Sequence, residues 1–208
     1  MLSVYTLIFL NLLIYCTPAL SSGDWSRLLS FPEEVIWRYG FTLPALEQGE
    51  WTRLFSAMFL HAYWFHILLN MVLLALIGEV VHRFYRYDFK ILTIYFLSGI
   101  GGFLMHTLMY SPDVVRVSVG ASGAIFGLFG ALILPAFVMK RRAYGLRLII
   151  VALAQIWFDA QIPLVDGAAH LGGLGTGCLL SIWLFSKSHS LVSPKPSRRS
   201  KVVPLRRK

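Results

Sequence analysis

The segment Ala169-His170-Leu171-Gly172-Gly173-Leu174-Gly175-Thr176-Gly177 sets one histidine and four glycines into an otherwise apolar run near the end of a 208-residue chain. Read as a helix, it puts Gly173 and Gly177 on one face, with His170 one turn before Gly173 on that face. Small residues at this spacing let two helices meet backbone to backbone. Helices associate this way in lipid, where apolar side chains gain nothing by leaving the solvent. A histidine in such a run is costly unless it is hydrogen-bonded or functional. On this segment alone, a structural histidine and a catalytic base both remain open.

The rest of the chain carries the same signature. Hydrophobic residues make up 57% of it and charged residues only 14%, far from the balance of a soluble domain. Crossing a bilayer takes about 20 apolar residues. Blocks of that order occur near residues 2–20, 54–77, 91–109, 119–138, 146–162 and 168–185. The expected fold is all-α: a polytopic six-helix membrane domain over 1–185, with a long outer loop over 21–52. A basic, disordered tail over 186–208 follows, suited to anionic lipid. Residues 1–20 also resemble a signal peptide. They lack a preceding basic residue and are long for one, so they are read as a retained span. Cys16 and Cys178 fall inside apolar blocks and read as buried thiols.

The net charge of +9 does not point to nucleic acid, because no basic patch interleaved with aromatics accompanies it. Fifteen of the 19 lysines and arginines lie between blocks two and three, around the junction of four and five, or after six. With six spans these segments share one side, which predicts both termini in the cytoplasm. The opposite side holds Arg27, Arg38, Arg53 and Arg116 with most of the acidic residues, Asp113 and Asp166 among them. The loop over 21–52 contains Trp25, Phe31, Trp37, Tyr39, Phe41 and Trp51, rings that favour the headgroup zone.

Two further segments carry chemistry. Gly120-Ala121-Ser122-Gly123 opens the fourth block. A serine in a first helical turn lies beside free backbone N–H groups and the positive end of the helix dipole, which stabilise a developing oxyanion. Gly123 and Gly127 also form a Gly-x-x-x-Gly pair, so packing alone accounts for this segment taken by itself. If that pair faces Gly173 and Gly177, His170 comes within reach of Ser122 and can take its proton. In the second block, His66 and Asn70 are four apart and share a face. With the Ser122 amide they can hold the oxygen of a tetrahedral intermediate, and Gly120 is counted beside them as a stabilising residue that gives the backbone room for close approach. His61 lies off that face and is expected to be structural. Asp159 and Asp166 read as loop or structural residues, so the expectation is a Ser122–His170 dyad without an orienting carboxylate.

In these residues the sequence resembles the rhomboid family of intramembrane serine proteases. The family's Gly-x-Ser-Gly, Ala-His-x-x-Gly-x-x-x-Gly and His-x-x-x-Asn segments are matched by residues 120–123, 169–177 and 66–70. Trp51-Thr52-Arg53 matches its tryptophan–arginine feature with one residue inserted. The resemblance implies a bacterial-type, six-span rhomboid bundle in the inner (plasma) membrane. It implies a serine recessed in a water-filled cavity, an acyl-enzyme, transmembrane or membrane-anchored protein substrates, and no metal or cofactor. Block five and the loop after Ile162 look similar to the family's lateral gate and cap. Phe126 stands where some bacterial members carry tyrosine, keeping a ring that can pack on His170.

A catalytically inactive rhomboid-like protein that binds transmembrane helices is the main alternative, and intact Ser122 and His170 argue against it. A transporter predicts repeated halves or charged rings, and a zinc protease predicts a ligand set such as H-E-x-x-H. The sequence carries neither.

Overall fold

The computed structural model describes residues 1–111, 115–159, 161–162 and 165–190, with the side chains of 185–190 excepted. Asp113, the first residues of the loop after Ile162 and the tail over 191–208 lie outside the described residues. Helix α1 (Leu2–Ser22) ends where Gly23 takes a left-handed conformation and returns its N–H to the Ala19 carbonyl. The long loop folds into α2 (Glu33–Tyr39), α3 (Leu43–Glu47) and α4 (Arg53–Ser56). The long helices α5 (Trp64–Tyr85) and α6 (Asp88–Met109) follow, then the shorter α7 (Ser122–Gly130) and α8 (Ile133–Val138). Helices α9 (Arg142–Asp159) and α10 (Gly167–Ser190) complete the described elements.

Among the described residues, four stretches are long and apolar enough to cross a membrane: α1, α5, α6 and Gly167–Leu184 of α10. Ser122–Val138 is a shorter apolar run. Only 33% of the apolar window of α1, and the same share of α5, is buried inside the protein. The rest turns outward: on α5 alone, Leu68, Leu69, Val72, Leu73 and Leu76 are exposed. A helix with an apolar outer face requires lipid around it. The chain is therefore an integral membrane protein, and its core lies where α6, α7 and α10 pack together.

Several boundaries differ from the hydropathy reading. The second span begins at Trp64, not at 54, and runs past 77 to Tyr85. Leu54, Ala57, Met58 and Leu60 are apolar because they are buried inside the protein, not because they face lipid. The backbone after them leaves the helix to pair with the loop, where Phe31 N–H donates to the Ala62 carbonyl at 2.8 Å. The fourth helix starts at Ser122, not at 119. Before it, Ser118 forms an antiparallel bridge with Phe41, the two exchanging backbone hydrogen bonds of 2.9 and 3.0 Å. The last helix runs to Ser190, past the expected end at 185 and into the stretch read as disordered tail.

The loop is stapled by Arg53. Its Nε donates to Glu50 Oε2 at 2.6 Å, and Nη1 donates to the carbonyls of Trp37 at 2.7 Å and Gly40 at 3.3 Å. Phe31 and Phe41 are buried beneath the loop, whereas Trp25, Trp37, Tyr39 and Trp51 are exposed.

Candidate active site

The glycines of α7 and α10 are in backbone contact. A Cβ added to Gly173 would sit 1.9 Å from the Gly123 carbonyl oxygen, and one on Gly177 would sit 1.9 Å from that of Gly127. One on Gly123 would lie 3.2 Å from the Ala169 carbonyl oxygen. The residue after Ser122 thus touches the residue before His170. Ser122 is half-buried at the first position of α7, and His170 is buried in the first turns of α10. The Phe126 ring, one turn after Ser122, stacks on the His170 imidazole with centroids 4.4 Å apart and planes 11° from parallel. Among the described residues no hydrogen bond yet closes Ser122 onto His170. Such bonds are commonly long without substrate and tighten when it binds.

His66 and Asn70 approach Gly120, two residues before Ser122. Gly120 has φ +119°, a conformation that side chains disfavour. A Cβ there would lie 2.8 Å from His66 Nε2 and 3.9 Å from Asn70 Nδ2. The Gly120 N–H is spent on the Ala57 carbonyl at 2.8 Å. The Gly120 amide is therefore occupied, and the residue serves by shape. Asn70 Nδ2 donates to the His66 carbonyl at 3.0 Å, and His66 meets the fully buried His61 edge to face at 4.9 Å.

Two carboxylates flank His170. Asp166 precedes α10 and accepts the Ala169 N–H at 3.0 Å and the Ser118 hydroxyl at 2.5 Å. Its Oδ2 also lies 2.7 Å from His106 Nδ1. Burial pushes this carboxyl up, but the hydrogen bonds from His106, Ser118 and Ala169 outweigh it and hold it below the ordinary carboxylate value. Asp166 thereby ties the segment leading to Ser122 to the helix carrying His170. Asp159, at the end of α9, places Oδ2 2.7 Å from His170 Nδ1. The expectation that no carboxylate accompanies the imidazole is corrected by this contact. The sequence offered one faint signal for it: a carboxylate ending an apolar helix is costly unless paired.

The rhomboid domain profile matches residues 48–187. The chain is 34% identical over 145 residues to "RHOMBOID-like protein 5" of Arabidopsis thaliana, covering 67% of this chain and 46% of that protein. It is 30% identical over 159 residues to "Rhomboid protease AarA" of Providencia stuartii, covering 65% and 56%. It is 33% identical over 112 residues to "Rhomboid protease GluP" of Bacillus subtilis (strain 168), covering 52% and 21%. The matches span less than half the length of the first plant relatives. Because the domain covers most of the chain, including both helices that carry the serine and the histidine, this protein belongs to the rhomboid family.

Proposed function

We propose that the chain is an intramembrane serine endopeptidase that cuts transmembrane or membrane-anchored proteins. The observation that carries this reading is the glycine-to-glycine contact of α7 and α10. It brings the neighbours of Ser122 and His170 together while His66 and Asn70 close on Gly120 from α5. In this reading His170 Nε2 takes the Ser122 proton as Oγ attacks the scissile carbonyl. The Ser122 N–H, His66 and Asn70 hold the resulting oxyanion. Collapse expels the amine with the proton from His170, and water then hydrolyses the acyl-enzyme by the same base.

Depth supports the choice of substrate. Ser122–Val138 rises about 25 Å as a helix, less than the roughly 30 Å of a hydrocarbon core. A serine at its outer end is thus recessed below the surface. A substrate helix must unwind to reach it, since helical peptide groups are already hydrogen-bonded. The lysine and arginine bias favours both termini on the cytoplasmic side, in this reading of a bacterial inner membrane, with the basic tail drawn to anionic lipid.

The test is cleavage of a reporter transmembrane substrate in proteoliposomes. Ser122→Ala and His170→Ala abolish cleavage and remain folded. His66→Ala and Asn70→Ala each slow it by about 10²–10³-fold, the usual cost of one oxyanion donor. A fluorophosphonate labels the wild type and not Ser122→Ala. Wild-type protein that neither labels nor cleaves refutes the enzyme and leaves a helix-binding protein; cleavage unchanged in either alanine variant refutes the roles given to Ser122 and His170.

A further inference from the structure

We propose that Asp159 is a positioning residue for His170: across the α9–α10 contact its carboxylate fixes the imidazole with Nδ1–H toward α9 and the Nε2 lone pair toward Ser122. The inference rests on the protease reading above and adds a third member to its dyad.

The two groups are 2.7 Å apart, and both are almost fully buried, with His170 6% and Asp159 5% exposed. An ionised carboxylate only accepts hydrogen bonds, so the ring must donate from Nδ1. The neutral imidazole then carries its free lone pair on Nε2, the form a general base requires. The contact is held from both sides. Gln155, one turn back on α9, donates Nε2 to Asp159 Oδ1 at 2.8 Å and fixes the carboxylate plane. Phe126 covers one face of the imidazole and restricts its rotation about χ2. With Nδ1 anchored to α9, the opposite edge of the ring is turned away from α9.

Among the described residues, other groups around His170 do not compete for Nδ1. His66 approaches from α5 and Ser122 lies on α7. His106 of α6 is engaged with Asp166. On α9 the buried residues are Gly145, Leu148, Ala152 and Asp159, so Asp159 is the polar group this helix delivers to the interior. A purely structural Asp159 would serve only to seat α9. A positioning Asp159 also sets the rate of proton removal from Ser122, and these two roles have different kinetic signatures.

The experiment uses the full chain in proteoliposomes. Asp159→Asn retains size and one accepting oxygen but not the charge. It is expected to lower kcat by about 10²-fold or more, the range of general-base effects, with KM within about threefold. The rate of fluorophosphonate labelling falls in parallel, because labelling needs the base and no substrate helix. Asp159→Glu restores part of both rates. Histidine ¹⁵N spectra of the wild type in micelles, with His170 assigned by its loss in His170→Gln, show the proton on Nδ1. This last measurement stands even if Asp159→Asn fails to fold. A kcat near wild type, an unchanged labelling rate with lost cleavage, or a wild-type His170 protonated on Nε2 would each overturn the proposal. Ser122→Ala and His170→Ala run alongside. If those remain active, the protease reading itself falls; if they are dead while Asp159→Asn is unimpaired, only the role of Asp159 does.

Discussion

Gly173→Ala tests the contact on which the site is built. Its new Cβ would lie 1.9 Å from the Gly123 carbonyl oxygen and 2.7 Å from the carbonyl carbon, while ordinary contact begins at 3.4 Å. The obstacle is backbone, so no rotamer change relieves it, and α10 must retreat by about 1.5 Å. Overpacking of this kind costs about 1–3 kcal/mol. His170 lies one turn earlier on the same face and retreats with the helix, and a misplacement of about 1 Å is enough to cost about 10²-fold in rate. Gly175→Ala is the control. It lies on the same helix two residues away, but its Cβ meets nothing within 4 Å. Helix propensity favours that change by up to about 1 kcal/mol. Cleavage of a reporter substrate in proteoliposomes and thermal unfolding in micelles are measured for both. Gly173→Ala is expected to lose about 10²-fold in kcat and to melt lower, with Gly175→Ala at wild-type activity. A folded Gly173→Ala cleaving within threefold of wild type would refute the argument. Equal damage from Gly175→Ala would do so too, because the loss would then not depend on the contact.

Gly120→Ala meets two obstacles at once, a φ of +119° and a Cβ 2.8 Å from His66 Nε2. The backbone strain is about 1–3 kcal/mol, and the displaced His66 removes a donor worth about 10²–10³-fold. Gly23→Ala, whose Cβ meets open space at φ +71°, is expected to lower the melting temperature without lowering kcat. Asp166→Asn weakens the cap of α10 and the tie to Ser118, at about 1 kcal/mol, or about 2–4 °C in melting temperature for a chain of this size. The pH dependence has a definite sign. The native carboxyl titrates below its ordinary value of 3.8, so its stabilisation is complete above that value and is lost as the pH falls through the lower native one. Melting curves of wild type and Asp166→Asn are expected to differ at pH 6 and to converge in acid. A constant difference across that range would assign the effect to packing.

What the sequence made legible lay within single helices. Gly173 and Gly177, Gly123 and Gly127, and His66 and Asn70 are each spaced four apart, and helical geometry alone puts each pair on one face. The meeting of the two glycine faces was legible too, because lipid removes the other reasons for glycine at such spacing. The contacts that escaped cross a loop or a non-helical turn. Asp159 and His170 lie on different helices, and no periodicity relates them. Asp166, Ser118 and His106 come from three separate segments joined only by folding. The misplaced start of the second span has another cause. Hydropathy reports transfer out of water, and the buried Met58 and Leu60 score as a lipid-facing leucine does. Only the pairing of Phe31 with Ala62 reveals that this stretch is loop.

The site is held unequally from its two sides, and the inequality follows from the solvent. Lipid supplies no hydrophobic drive between helices, so rigidity must come from close packing and buried polar pairs. On one side of His170 the constraints are backbone against backbone: Gly173 on Gly123, Gly177 on Gly127 and the Asp166 cap joined to Ser118. These cannot loosen without separating α7 from α10. On the other side stands α9, whose outer face exposes Ile150, Val151, Leu153, Trp157 and Phe158 and whose inward polar group is Asp159. A substrate helix displacing α9 would leave the glycine contacts whole and break the carboxylate–imidazole pair. In the proposed mechanism, entry at that side would therefore spare the distance between Ser122 and His170 while releasing the orientation of the imidazole, and turnover would require α9 to return before proton transfer.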